Sequence, residues 1–109
     1  MMKDHITIDG VTYTRAPDPQ DPNYSPFVIG ESYLIRTVTM IYTGRLKAVT
    51  PTDFVLEDAA WVADTGRLAD ALSEGTLLEV EPYPGEAIVS RASYIDASVW
   101  KHPLPRVQK

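Results

Sequence analysis

The chain is predicted to fold as a mainly β protein, a small bent barrel of five to six strands with an N-terminal β-hairpin and one short helix. Three observations predict this. β-branched and aromatic residues alternate with polar ones from residue 34 onward, and glycines and prolines punctuate the runs at short intervals. Only one segment, residues 67–72, carries apolar residues at helical spacing. A small β protein with several short strands tends toward closure, because closure removes the unpaired edges that template aggregation. The 109 residues suit a single domain. Within it, residues 1–27 read as a hairpin and connector, 28–100 as the barrel and 101–109 as a tail.

Each element follows from local chemistry. Ile6-Thr7-Ile8 and Val11-Thr12-Tyr13 flank Asp9-Gly10, the dipeptide that a two-residue type I′ turn favours. Residues 16–27 contain four prolines, which supply no backbone N–H and so exclude a helix or a central strand. Residues 34–49 alternate with Leu34, Val38, Met40, Tyr42, Leu46 and Ala48 on one face. Laid straight, sixteen residues would span ~53 Å at ~3.3 Å each, more than a domain of this size is wide. Gly44 is the only permissive residue in the run, so one strand bent there, or two strands breaking close to it, is expected. Thr50-Pro51-Thr52 turns the chain into a return strand over residues 53–57, and residues 59–63 continue apolar. Asp64-Thr65 offers a helix N-cap, residues 67–72 a short amphipathic helix and Gly75 its stop. Residues 77–81 alternate again, Pro82-Tyr83-Pro84-Gly85 turns, and residues 87–89 and 93–100 complete the sheet with a kink near Arg91-Ala92.

Composition narrows the chemistry. The chain has no Cys, which excludes disulfides, thiolate metal sites and a Cys nucleophile. No apolar run nears the ~20 residues needed to cross a bilayer, and Met1-Met2-Lys3-Asp4-His5 is not followed by a signal-peptide core, so a cytoplasmic location and no membrane partner are expected. His5 and His102 lie near opposite termini and no Gly-x-Ser-x-Gly elbow is present, so an enzyme is not expected. Glu57, Asp58 and Asp64 lack Ca²⁺-loop spacing, and no metal or other cofactor is expected. Isolated Gly44, Gly66 and Gly75 make no phosphate-cradling loop.

Charge alternates in blocks. Residues 36–50 hold Arg36, Arg45 and Lys47 and no acid, residues 51–86 hold nine acids against Arg67, and residues 87–109 hold four cations against Asp96. The net charge of −5 opposes long-range attraction of nucleic acid unless the two basic blocks combine. Solvated strand faces are the expected place of such charges, and complementary faces joining copies head to tail are a third use of them. The aromatics, placed beside Arg45 or Arg91, could stack a base, although most must fill a core this small. Trp61 and Trp100 adjoin strand ends and are the candidate oligomer contacts.

Residues 38–59, VTMIYTGRLKAVTPTDFVLEDA, resemble the first motif of Sm-like proteins: a bent strand with a central glycine, a turn with Asp, and a second strand ending in an acid and Ala. Residues 87–95, AIVSRASYI, are similar to the second motif. The resemblance covers about a third of the chain. It implies an Sm-like, SH3-like barrel that forms rings through edge-strand pairing, with Asp53 and Arg91 at the positions that hold a base in that family. No Asn follows Asp53 and Ala92 stands where the family has glycine, so RNA is not the expected partner. The chain as a whole also resembles small phage- and prophage-encoded proteins, a likeness that implies no activity. The expected function is therefore a non-enzymatic homo-oligomeric module, a ring or stack with a phage structural or accessory role. The alternative is a module that sequesters a small anionic ligand such as a nucleotide in inter-subunit pockets, with Arg45, Asp53, Arg91 and Tyr94 as candidate ligand-binding residues; Sm-type RNA binding ranks third.

Overall fold

The computed structural model describes Gln20 and residues 25–109 in full and the backbone of two strands nearer the N-terminus. Those strands, β1 (His5–Ile8) and β2 (Val11–Thr14), form an antiparallel pair whose register matches Ile8 with Val11, as a two-residue connection requires. The turn residues Asp9 and Gly10 lie outside the described residues, as does most of the proline connector.

The main sheet is antiparallel and contains β3 (Ser32–Thr37), β4 (Ile41–Val49), β5 (Asp53–Asp64), β6 (Glu79–Pro82), β7 (Ala87–Ser90) and β8 (Tyr94–Val99). The spatial order is β6-β5-β4-β3-β8, with β7 also on β5. One helix, α1 (Leu68–Glu74), joins β5 to β6, and a single 3-10 turn at Arg91–Ser93 supplies the kink between β7 and β8. The mainly β class, the single helix and the bent sheet match the expectation. The sheet does not close: no ladder among the described residues joins β8 to β6 or β7.

The break in the long β stretch falls at residues 37–40, not at Gly44. Thr37 closes this turn with its own side chain. Its N–H donates to the Met40 carbonyl at 2.7 Å, its hydroxyl donates to the same oxygen at 2.8 Å, and the Met40 N–H donates back to that hydroxyl at 2.9 Å. A Ser/Thr hydroxyl can thus replace the glycine or proline that a turn normally advertises. The turn also leaves Val38 73% exposed, which removes it from the expected apolar face.

Gly44 sits inside a continuous β4 and serves the bend differently. A Cβ at this position would lie 2.8 Å from Leu56 Cβ and 3.4 Å from Ala59 Cα, so only glycine lets β4 approach β5 so closely. The register slips at this point, with Thr43 opposite Ala60 and Arg45 opposite Glu57. The extra residue lies on β5, where Asp58 has φ 48°, the left-handed conformation that Asp tolerates better than most. Beyond this bulge β5 changes neighbours: residues 53–56 pair with β7 and residues 60–64 with β6.

Both faces of the sheet are covered. On one, Tyr33, Ile35, Leu46, Phe54, Leu56, Ala59, Ala87 and Val89 form a core. On the other, Leu34, Ala60, Val62, Val80 and Trp100 pack with Ala71 of α1 and Leu77. This explains the unbroken burial of Tyr33-Leu34-Ile35, since a strand covered on both faces needs no polar alternation. Leu34 and Leu46, expected on one face, belong to different cores because the turn and bulges reset the parity.

Helix α1 starts without a side-chain cap. Asp64, the expected N-cap, instead accepts the Gly66 N–H at 2.8 Å in the preceding turn. Gly75 ends the helix at φ 77°, and its N–H donates to the Ala71 carbonyl. His102 packs on this cap: its Nε2 donates to the Leu72 carbonyl at 2.8 Å, and a Cβ on Gly75 would meet its ring at 2.6 Å. The C-terminal segment continues along the molecule. Arg106 donates to the carbonyls of Ala59 and Tyr83, and Lys109 exchanges backbone hydrogen bonds with Val80 on the outer edge of β6.

Two substitutions test this packing. Gly44→Ala is expected to destabilise by about 1–3 kcal/mol in urea unfolding, whereas Gly85→Ala, with open space around its Cβ position, should be neutral or slightly stabilising. The buried Thr43 hydroxyl has no hydrogen-bond partner among the described residues, so Thr43→Val should raise stability by about 1 kcal/mol.

Candidate functional site

Three of the four candidate ligand-binding residues share one neighbourhood. β5 and β7 pair Asp53 with Ser90, placing Asp53 beside Arg91. The Arg91 N–H donates to the Thr52 carbonyl, and its guanidinium donates to the Thr50 carbonyl at 2.7 Å. The same guanidinium lies 5.6 Å from the centroid of the Phe54 ring. Tyr94 meets Phe54 edge-on with centroids 5.3 Å apart, and Phe27 packs against Phe54, Tyr33 and Tyr94. Thr52 donates its hydroxyl to the Asp53 carboxylate. Arg91 thus ties the β4–β5 turn to the 3-10 turn, and Phe54 is the ring around which these groups assemble.

Arg45 lies elsewhere. It is four residues along β4 from Val49, the partner of Phe54, or about 13 Å at ~3.3 Å per residue. Its guanidinium donates to Glu57 at 2.9 Å and to Asp58 at 2.5 Å, which raises its already high pKa and occupies two of the three acids considered as metal ligands. The other cations of the first basic block are matched as well: Lys47 to Glu86 at 2.7 Å, and Arg36 to Asp96 through both guanidinium nitrogens that face it. The first basic block is therefore matched by carboxylates of its own chain.

The two tryptophans part company. Trp100 is 3% exposed, belongs to the core beneath α1, donates its indole N–H to the Pro103 carbonyl and meets His102 edge-on. Its expected place at an oligomer contact is thus taken by the chain's own packing. Trp61 is half-buried and lines two adjoining clefts. One, of about 220 Å³, is bounded by Met40, Trp61, Glu81, Pro82, Tyr83 and Pro84. The other, of about 330 Å³, runs over the 37–40 turn past Arg36 to Ile95.

The first cleft follows from strand register. Tyr42 pairs with Trp61 and Trp61 with Glu81, so three side chains stand in a row across β4, β5 and β6 on one face. The Tyr42 hydroxyl donates to Met40 Sδ at 3.1 Å, and its ring lies 6.2 Å from that of Tyr83. Burial first, and then Tyr83, pushes the Tyr42 phenol above its ordinary pKa, so it stays protonated as that donor. Sequence reasoning missed this cleft. Its signal was the apolar and aromatic content of Met40, Trp61 and Pro82-Tyr83-Pro84, which only the register brings together.

The Arg36 hydrogen bond holds the Asp96 carboxyl below the usual carboxylate range. A depressed carboxylate pKa contributes stability above its unfolded value, near pH ~4, and loses it as pH falls through the folded value. Asp96→Asn should therefore flatten the acid limb of the stability profile below about pH 4, modestly because the pair is partly exposed. Thermal unfolding from pH 7 to pH 2 measures this.

No protein-family model, no curated protein and no solved structure matches this chain.

Proposed function

We propose that this chain is a non-enzymatic module that assembles with copies of itself by pairing strand β8 of one copy with strand β7 of the next. The observation that carries the reading is the open sheet. β8 is bonded to β3 on one side and to no strand among the described residues on the other. It contains neither Pro nor Lys, and its one charge, Asp96, is engaged by Arg36; of the usual devices that blunt an edge it carries a bulge at Ile95, near its start, which leaves residues 96–99 regular. Ile95 is 63% exposed beside it. At the opposite side the edge of β6 is taken by Lys109, whereas β7 presents four residues and a 71% exposed Ile88.

Pairing unlike edges is a heterologous contact, which closes into a ring or continues as a stack according to the rotation per copy. Such an assembly would serve a phage structural or accessory role. The internal matching of Arg36, Arg45 and Lys47 with carboxylates weighs against phosphate binding by the first basic block.

The direction of the β8 amides supplies a clean test. Trp100 donates its N–H to Ser32 on β3, so by alternation the Val99 N–H points away from β3. Val99→Pro removes that outward donor and no bond within the subunit. Sedimentation velocity at tens of micromolar should show a multimer for the natural sequence and a monomer for Val99→Pro, with closely similar thermal unfolding of dilute protein. A natural sequence that sediments as a monomer overturns the reading.

A further inference from the structure

We infer that the 220 Å³ cleft at Trp61 is a binding site for an organic cation, an alkylated ammonium head such as a quaternary ammonium group. The site lies away from the β7 and β8 edges and does not depend on self-assembly. Its lining combines two aromatic residues, Trp61 and Tyr83, with Met40, whose thioether is polarizable. Glu81 is the only charged residue in that lining, and it is an acid. Glu79, two residues back along β6, alternates onto the same side and adds to the negative potential. An aromatic face attracts a cation through its quadrupole, and a carboxylate alongside supplies the counter-charge. An anion would meet Glu81 with nothing in the lining to balance it.

The walls are held in place before any ligand arrives. Glu81 stands directly opposite Trp61 across the β5–β6 ladder, and Tyr42 stands on the other side of the same tryptophan. Tyr83 is pinned at both backbone groups: its N–H donates to the Ala59 carbonyl and its carbonyl accepts from Arg106. Pro82 and Pro84 restrict the backbone on either side. Met40 is fixed by the turn bonds to Thr37 and by the Tyr42 hydroxyl on its sulfur. Such preorganisation lowers the ordering cost of binding. The volume is below the ~300 Å³ at which pockets for drug-sized ligands begin, which suits a compact ammonium head rather than a nucleotide.

The test is a titration of the full chain with choline chloride at constant ionic strength, following the two indole N–H signals by NMR. The neutral isostere 3,3-dimethylbutan-1-ol runs alongside. Choline should shift the Trp61 signal saturably and leave that of Trp100 nearly unmoved, and the alcohol should bind about tenfold or more weakly. Glu81→Gln, at an exposed position, should weaken choline several-fold with the unfolding midpoint unchanged. Trp61→Phe should keep part of the affinity and Trp61→Leu lose it. A short trimethyllysine peptide binding tighter than choline identifies a modified protein side chain as the source, and the reverse identifies a small metabolite; either supports the site. Equal binding of choline and the alcohol, no saturable shift, or full affinity in Glu81→Gln overturns it.

Discussion

The close approach of β4 to β5 at Gly44 is the constraint from which the rest of the sheet follows. With no side chain there, β4 presses on Leu56 and Ala59, and β5 answers by bulging at Asp58, the only described non-glycine residue at positive φ. A bulge adds one residue to one strand and sharpens the local twist, so the two halves of β5 point in different directions. The first half meets β7 and the second meets β6. The first core closes around Phe54, Leu56 and Ala59, the β5 residues on either side of this bend. Arg45, next to Gly44, spans Glu57 and Asp58 and holds the bulge electrostatically from the exposed side.

The same bend governs what is left open. Because β5 serves two partners in succession, the sheet ends in β6 and β7 on one side and in β8 on the other, without a strand to join them. The second face would be bare without α1 and the C-terminal segment. Trp100 and Leu104 fill that face, His102 sits on the helix cap where Gly75 leaves room, and Lys109 completes the outer edge of β6. One edge is thereby satisfied from within the chain, and β7 and β8 remain for another. The Trp61 cleft belongs to the same geometry, lying on the face where the row from Tyr42 through Trp61 to Glu81 runs out from core to solvent.

Electrostatics follows the strand ladder more closely than it follows the linear charge blocks. Cross-strand neighbours of opposite sign meet at Arg36–Asp96 and Arg45–Glu57, and Lys47 reaches Glu86 before β7 begins. Partly exposed pairs of this kind add little stability each. Their larger effect is on recognition, since a cation matched within its own subunit presents a weaker field to phosphate.

Local chemistry in the sequence by itself determined the β class, the hairpin register of the first two strands, the helix ending at Gly75 and the kink at Arg91-Ala92. These depend on near neighbours: a turn dipeptide, an apolar spacing, a residue free to adopt positive φ. The break at residues 37–40 was also local, yet it was hidden because a threonine hydroxyl does what glycine or proline usually signals. Of the four candidate ligand-binding residues, Asp53, Arg91 and Tyr94 gather around Phe54, whereas the length of β4 sets Arg45 apart. Only the tertiary structure decided that Trp100 lies inside and Trp61 half-buried at a cleft, that the basic block is matched by distant acids, and that Glu81 stands beside an aromatic cleft. Each of these is set by which residues face one another across strands as far apart in sequence as Tyr33 and Val99, and a one-residue bulge changes that pairing for everything beyond it.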